Sequence, residues 1–131
     1  MRCSRTLSLV SILPLIALGC RDALQPLGPD QVAVRVRNAS AVPFDETTLY
    51  LMDGPRALGR ISAGGTSAYV VTDTAYRFMT TQAIVGSDTL RLQVIDYVGE
   101  QPLSPGHYTY VLSIYEDEQG ARRLDQTLEE D

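Results

Sequence analysis

Lysine and tryptophan are absent from this 131-residue sequence, histidine occurs once, and cysteine twice. Each scarcity excludes a class of chemistry. A zinc site needs three or four converging His, Cys or carboxylate ligands, and His107 has no second histidine to join it. Carbohydrate-binding sandwiches usually present Trp beside Tyr, and here only tyrosine, seven in all, is on offer. A long apolar run is also missing. Leu7–Leu18, broken by Pro14, is about a dozen residues where a membrane-spanning helix needs roughly 20. What remains, 44% hydrophobic and 21% charged residues, is the composition of one folded domain and not of a disordered chain.

The short apolar run has the flanks of an export signal. Arg2 and Arg5 precede it and Ala17-Leu18-Gly19-Cys20 follows it, giving a basic n-region, an h-region and small residues at a cleavage point. The last four residues resemble the lipobox of bacterial lipoproteins. That resemblance implies cleavage between Gly19 and Cys20 and lipidation of the Cys20 thiol, with acylation of the freed amine. An ordinary secretory signal cut nearby and an uncleaved anchor are the alternatives. With Cys3 in the removed segment, Cys20 is the lone cysteine of the mature chain, and lipidation accounts for it. No internal disulfide is then available. Each acyl methylene buried contributes about 0.8 kcal/mol, so two or three chains make a firm anchor. In lipoproteins of this kind an Asp after the modified Cys marks inner-membrane retention. Arg21 holds that place, which favours the outer membrane facing the periplasm, with the cell surface as the alternative.

Residues 20–30 carry Pro26, Gly28 and Pro29 without periodicity and read as the lipidated Cys and a tether. From residue 31 to 131 the pattern alternates with period two, interrupted every eight to twelve residues by turn chemistry,. Val32, Val34 and Val36 share one face of a first strand. Further strands are expected at Thr47–Met52, Ala57–Ile61, Ser67–Thr72, a long bulged Ala75–Val85, and Thr89–Asp96 after the Gly86-Ser87-Asp88 hairpin. Tyr108, Tyr110, Leu112 and Ile114 line one face of the strongest strand. Asp117–Gly120 turns the chain into Ala121–Leu128. Seven or eight short strands and no capped helical pattern predict an all-β fold: an antiparallel, immunoglobulin-like β-sandwich, or alternatively a small β-barrel.

After residue 19 the nine arginines face sixteen acids, a formal charge of −7, with seven acids from Glu116 onward. That disfavours nucleic-acid binding through a basic stripe. The acidic end reads as a solvated final strand.

The densest polar stretch is Asp96–Tyr110. Asp96, Tyr97, Glu100 and His107 are its candidate ligand residues, as a loop for a small ligand or a metal such as calcium. The stretch lacks the dense Asp/Asn spacing of a calcium loop. Catalysis is not expected. Paired carboxylates need a shared cleft, and Ser104 and His107 are too close in a loop to form a nucleophile–base pair with an acid behind. The simpler expectation is structural. Pro105-Gly106 turns the chain into a core strand, and the Tyr108 hydroxyl bonds a nearby backbone group, the tyrosine corner of Greek-key sandwiches. Tyr50, Tyr97 and Tyr115 are the tyrosines expected to offer exposed contacts. Asn38-Ala39-Ser40 matches a glycosylation sequon but reads as a turn.

Several segments together resemble a group of short, uncharacterised bacterial lipoproteins. They are Val36–Ser40, Gly64–Tyr69, Ala75-Tyr76-Arg77-Phe78, Asp96–Glu100 and Leu103–Tyr110. The resemblance covers most of residues 31–115 and implies a sandwich at the membrane surface, with no activity to carry over. The sequence therefore leads to a lipid-anchored, non-enzymatic binding or structural module of the cell envelope without cofactors. Its partners would be the membrane, through the lipid, and an envelope protein. The alternative is a periplasmic ligand- or metal-binding lipoprotein using the 96–110 loop.

Overall fold

The computed structural model describes residues 27–131. The signal, the cleavage site, Cys20 and the first part of the tether lie outside them. Eight strands follow in order: β1 Val32–Asn38, β2 Phe44–Leu51, β3 Gly54–Ile61, β4 Val70–Thr72, β5 Thr81–Val85, β6 Asp88–Leu92, β7 Gly106–Glu116 and β8 Arg122–Glu130. Among the described residues there is no helix.

The strands form two four-stranded sheets, ordered β4-β1-β7-β8 and β3-β2-β5-β6. This is the predicted β-sandwich and not the closed barrel. Four strands face four, where an immunoglobulin constant domain sets four against three. One pairing also departs from antiparallel order. β1 runs parallel to β7, with Val32 opposite Gly106 and Asn38 opposite Leu112. Local alternation does not specify this contact, because it joins segments about seventy residues apart.

The alternation read from the sequence does decide the core. Val32, Val34 and Val36 face inward with Tyr108, Tyr110, Leu112 and Leu124, against Phe44, Leu49, Ala83, Val85 and Leu90 of the other sheet. Along β6 and just beyond, Leu90, Leu92 and Val94 are buried or half-buried while Arg91 and Gln93 are exposed. The hairpin between β5 and β6 pairs Val85 with Asp88. Gly86 has φ 62°, the positive value that this tight turn requires and that glycine adopts without a steric penalty.

Three expected strands are shorter than alternation suggests; Thr89–Asp96 ends as strand at Leu92. Ser67–Thr72 contributes only Val70–Thr72, with Thr66 making a single bridge to Arg37. Of Ala75–Val85, only Thr81–Val85 is strand. Residues 75–80 cross the end of the sandwich irregularly, with Ala75 and Met79 fully buried.

Their backbone is satisfied by distant side chains and single backbone amides rather than by a ladder. Buried Gln126 of β8 accepts from the Met79 N–H at 2.9 Å and donates to the Met79 carbonyl at 3.1 Å. The Tyr110 hydroxyl donates to the Tyr76 carbonyl, and the Leu103 N–H donates to the Ala75 carbonyl at 2.8 Å. A buried segment needs such partners because each unpaired backbone group costs about as much as a lost hydrogen bond. Distant side chains thus overrule local strand propensity here.

The strand directions give the sandwich two distinct ends. β1 and β7 both start at the end where residue 31 enters the fold. The 73–80 segment, the β2–β3 turn and the 93–105 loop lie at this same end. The Tyr50 N–H bonds the Thr80 carbonyl, the Val94 N–H bonds the Thr80 hydroxyl, and the Thr72 hydroxyl reaches Asp53 at 3.5 Å. The opposite end carries the 39–43 loop and the turns at Gly86 and Asp117–Gly120.

Candidate functional site

The loop predicted as a ligand site divides into three places. Asp96 works within its own turn: its Oδ1 accepts the Val98 N–H at 3.2 Å, and the Glu100 N–H closes the turn on the Tyr97 carbonyl at 3.0 Å. Tyr97 turns inward from that turn and stacks on Tyr76, with ring centroids 4.7 Å apart and planes 15° apart. Offset stacking of this kind is favourable beyond the area it buries. It leaves Tyr97 half-buried and less available than the sequence suggests. Of the other two tyrosines expected to be exposed, Tyr115 is exposed, whereas Tyr50 is half-covered by the Arg91 guanidinium, 4.5 Å over its ring.

Glu100 stands elsewhere, on the rim of an open cleft of about 520 Å³ shared with Arg77, Leu103, Tyr108, Leu128 and Glu130. The cleft floor is structural. The Tyr108 hydroxyl donates to the Ser104 carbonyl at 2.8 Å, the bond expected of a tyrosine corner. Gly106, at φ 154°, lies under the same ring, and a Cβ there would sit 3.6 Å from Tyr108. Burial is the first cause that raises the Tyr108 phenol above its ordinary pKa, with the Glu130 charge adding to it. A neutral phenol is a hydrogen-bond donor, which is what the corner uses.

His107 lies away from that cleft, on the outer face of the β4-β1-β7-β8 sheet. Its ring meets Tyr69 edge-on at 5.2 Å. Beside them Arg35 lays its guanidinium 4.5 Å over the Tyr69 ring and donates from Nε to the Thr109 hydroxyl at 3.0 Å. Asp131 completes the group. It accepts from the Tyr69 hydroxyl at 2.6 Å and the Thr109 hydroxyl at 2.8 Å, and faces Arg35 Nε at 3.5 Å.

Burial raises the Tyr69 pKa first and its bond to Asp131 raises it further, while Arg35 acts in the opposite direction. The alternation in β1 and β7 could have located this cluster, because Arg35 and Thr109 are register partners on the outward face. Sequence reasoning missed it because Tyr69 lies on the part of Ser67–Thr72 that does not form strand, and Asp131 follows the last strand.

The expected residues therefore do not converge. Asp96 holds a turn, Tyr97 packs against the core edge, Glu100 lines the cleft and His107 sits in the outer-face cluster. Among the described residues, no three His, Cys, Asp or Glu side chains group to hold a metal ion. No hydrogen bond among them links Ser104 to His107. Asn38 is fully buried. Its amide donates to the Val42 and Ile61 carbonyls and accepts from Ser40, the turn role predicted for it.

The exposed apolar side chains are a separate feature. Ile95 and Val98 are 91% and 89% exposed, and Met52 and Phe78 about half. All four belong to the end where the chain enters. The alternation ending at Val94 gave no sign of this, since it continues as far as the turn that lifts Ile95 and Val98 outward.

No protein-family model matches the chain, and no curated protein matches it. A solved structure does: the NMR structure of a protein from Eubacterium rectale is similar over 78% of this chain and 93% of its own, with TM-score 0.52 and 10% sequence identity. At that identity the likeness concerns the fold alone, and it agrees with a two-sheet sandwich as the architecture of this chain.

Proposed function

We propose that the protein is a lipid-anchored, non-enzymatic module of the cell envelope, held at a membrane by lipid on Cys20 and offering its sandwich as a binding or structural surface. The outer membrane, facing the periplasm, is the location favoured by Arg21. The observation that carries the reading is Ala17-Leu18-Gly19-Cys20 at the close of a short apolar run, followed by a chain that folds from residue 32 onward. Asp96 and Tyr108 hold the backbone of their own stretch while Glu100 and His107 stand in separate places, which suits a scaffold better than a reaction centre. Radiolabelled palmitate should enter the native chain and be lost in Cys20→Ser. Labelling that persists in that variant contradicts the anchor.

A ligand-binding reading has one observation in its favour, the open cleft that sets Arg77 near Glu100 beside the Tyr108 ring. Calorimetry with calcium, zinc and simple glycans on the wild type and Glu100→Ala tests it. Heats that the substitution abolishes would favour it, and unchanged heats remove it.

A further inference from the structure

We infer that the end of the sandwich where the chain enters is a bilayer-contacting surface, seated on the lipid interface by Ile95, Val98, Phe78 and Met52. The inference rests on the lipid-anchor reading and adds to it an orientation and a second point of membrane contact.

Three observations converge on it. The large apolar side chains that stay exposed are concentrated at one end: Met52, Phe78, Ile95 and Val98 at the entry end, against Tyr115 at the other. Secondly, the loop that carries Ile95 and Val98 is held in shape. Asp96 binds the Val98 N–H, the Glu100 N–H bonds the Tyr97 carbonyl, and Tyr97 between them is packed on Tyr76. Its apolar side chains therefore point to solvent from a fixed turn, the arrangement expected of a contact surface rather than of a loop that failed to pack.

Thirdly, chain length favours this end. Ten residues lie between Cys20 and Gln31, and the eleven steps from one to the other reach at most about 40 Å fully extended. β7 alone, with eleven residues, makes the sandwich about 35 Å long. Bringing the far end to the lipid would consume nearly the whole reach, whereas the entry end needs little of it.

Charge does not distinguish the ends: Glu116, Asp117 and Glu118 are at the far one, and Asp53, Asp73, Asp96, Glu100 and Glu130 are at the entry one. Arg77, next to Phe78, makes no ion pair among the described residues and is available to phosphate headgroups.

The test uses the full-length lipidated protein in vesicles of zwitterionic and anionic phospholipid whose acyl chains carry nitroxide. Cys20 is blocked by its thioether, so Val98→Cys and, at the far end, Glu118→Cys each offer one thiol for a polarity-sensitive dye. Both positions are exposed, so neither substitution disturbs the core. The dye at residue 98 should shift to the blue and be quenched several-fold more than the dye at 118. Equal quenching, with palmitate still incorporated, overturns the surface while leaving the anchor intact. A dye at 98 shielded from water but not quenched indicates a protein occupant and also overturns it. Failure of the native chain to take up palmitate overturns both readings together.

Discussion

The two ends of the sandwich are built from the same strands yet closed in different ways. At the far end the 39–43 loop is pinned by the buried Asn38 amide, and the two hairpin turns are short and polar. Gly86 makes a two-residue hairpin whose N–H bonds Asp45 at 2.8 Å, and Asp117 accepts the Gln119 and Ala121 N–H groups, both at 2.9 Å, while pairing with Arg123. At the entry end two irregular segments, 73–80 and 93–105, cross the open edge of the core. They are held by Gln126, Tyr110 and Tyr108 from β7 and β8, and they display apolar side chains. Where turns satisfy themselves, the end is an ordinary solvated surface. Where remote side chains hold the backbone, loops can be longer and can carry residues with no folding role, which is where binding surfaces tend to arise.

The comparison can be broken at Gln126. It serves three polar groups, the Met79 N–H and carbonyl and the Thr81 hydroxyl at 2.9 Å. Gln126→Ala leaves the Met79 N–H without a partner, leaves the Met79 carbonyl and the Thr81 hydroxyl only their bond to each other, and opens a cavity, so urea unfolding should show a loss of about 3 kcal/mol,. No single substitution in the Gly86 or Asp117–Gly120 turns should approach that.

Tyr110→Phe removes the bond to the Tyr76 carbonyl, and about 1–2 kcal/mol should be lost at neutral pH. Its pH dependence is the sharper test. Burial raises the Tyr110 pKa far above the ordinary 10.0, so the folded state keeps a proton that the unfolded state releases. The stabilisation is complete below pH 10 and declines above it by about 1.4 kcal/mol per pH unit. Tyr110→Phe should flatten that alkaline decline in chemical unfolding measured from pH 9 to 11.

An effect of opposite sign is expected at Thr47, on the bulged part of β2, whose buried hydroxyl has no hydrogen-bond partner. Thr47→Val replaces it with a methyl group and should raise stability by about 1 kcal/mol in the same unfolding assay.

The smallest effect belongs to the far end. The Arg123 bond, followed by the Ala121 N–H, holds the Asp117 carboxyl below its ordinary pKa. The carboxylate is half-buried in a surface turn and screened by solvent, so its contribution is slight,. A depressed carboxylate pKa stabilises above the unfolded value and loses that contribution as pH falls through the folded one. Asp117→Asn should therefore lower the melting temperature marginally at pH 7 and not at all in strong acid.

The sequence made much of this legible where structure follows from local pattern. The alternation of Val32–Val36 and Tyr108–Ile114, the Gly86 turn, the Asn38 turn and the Tyr108 corner all depend on neighbours within a few residues. What it concealed depends on distant partners. Ala75–Thr80 reads as strand until Gln126, some fifty residues on, takes over its backbone bonds. Gln126 itself lies between Leu124 and Leu128 with period two, a sign that its side chain faces inward, but polarity masks it. The candidate ligand residues share one stretch of sequence and yet part in space, because β7 carries His107 to the outer face of a sheet while the loop before it stays at the sandwich end.

Hydroxyl-radical footprinting of the lipidated protein in bilayer nanodiscs tests the difference between the ends most directly. Met52, Phe78 and Tyr115 are 53%, 44% and 51% exposed, so solvent reaches them almost equally in the isolated fold. Oxidation of each, normalised to the same residue in the denatured chain, should be suppressed several-fold more at Met52 and Phe78 than at Tyr115. Equal suppression at all three would contradict a membrane-facing entry end.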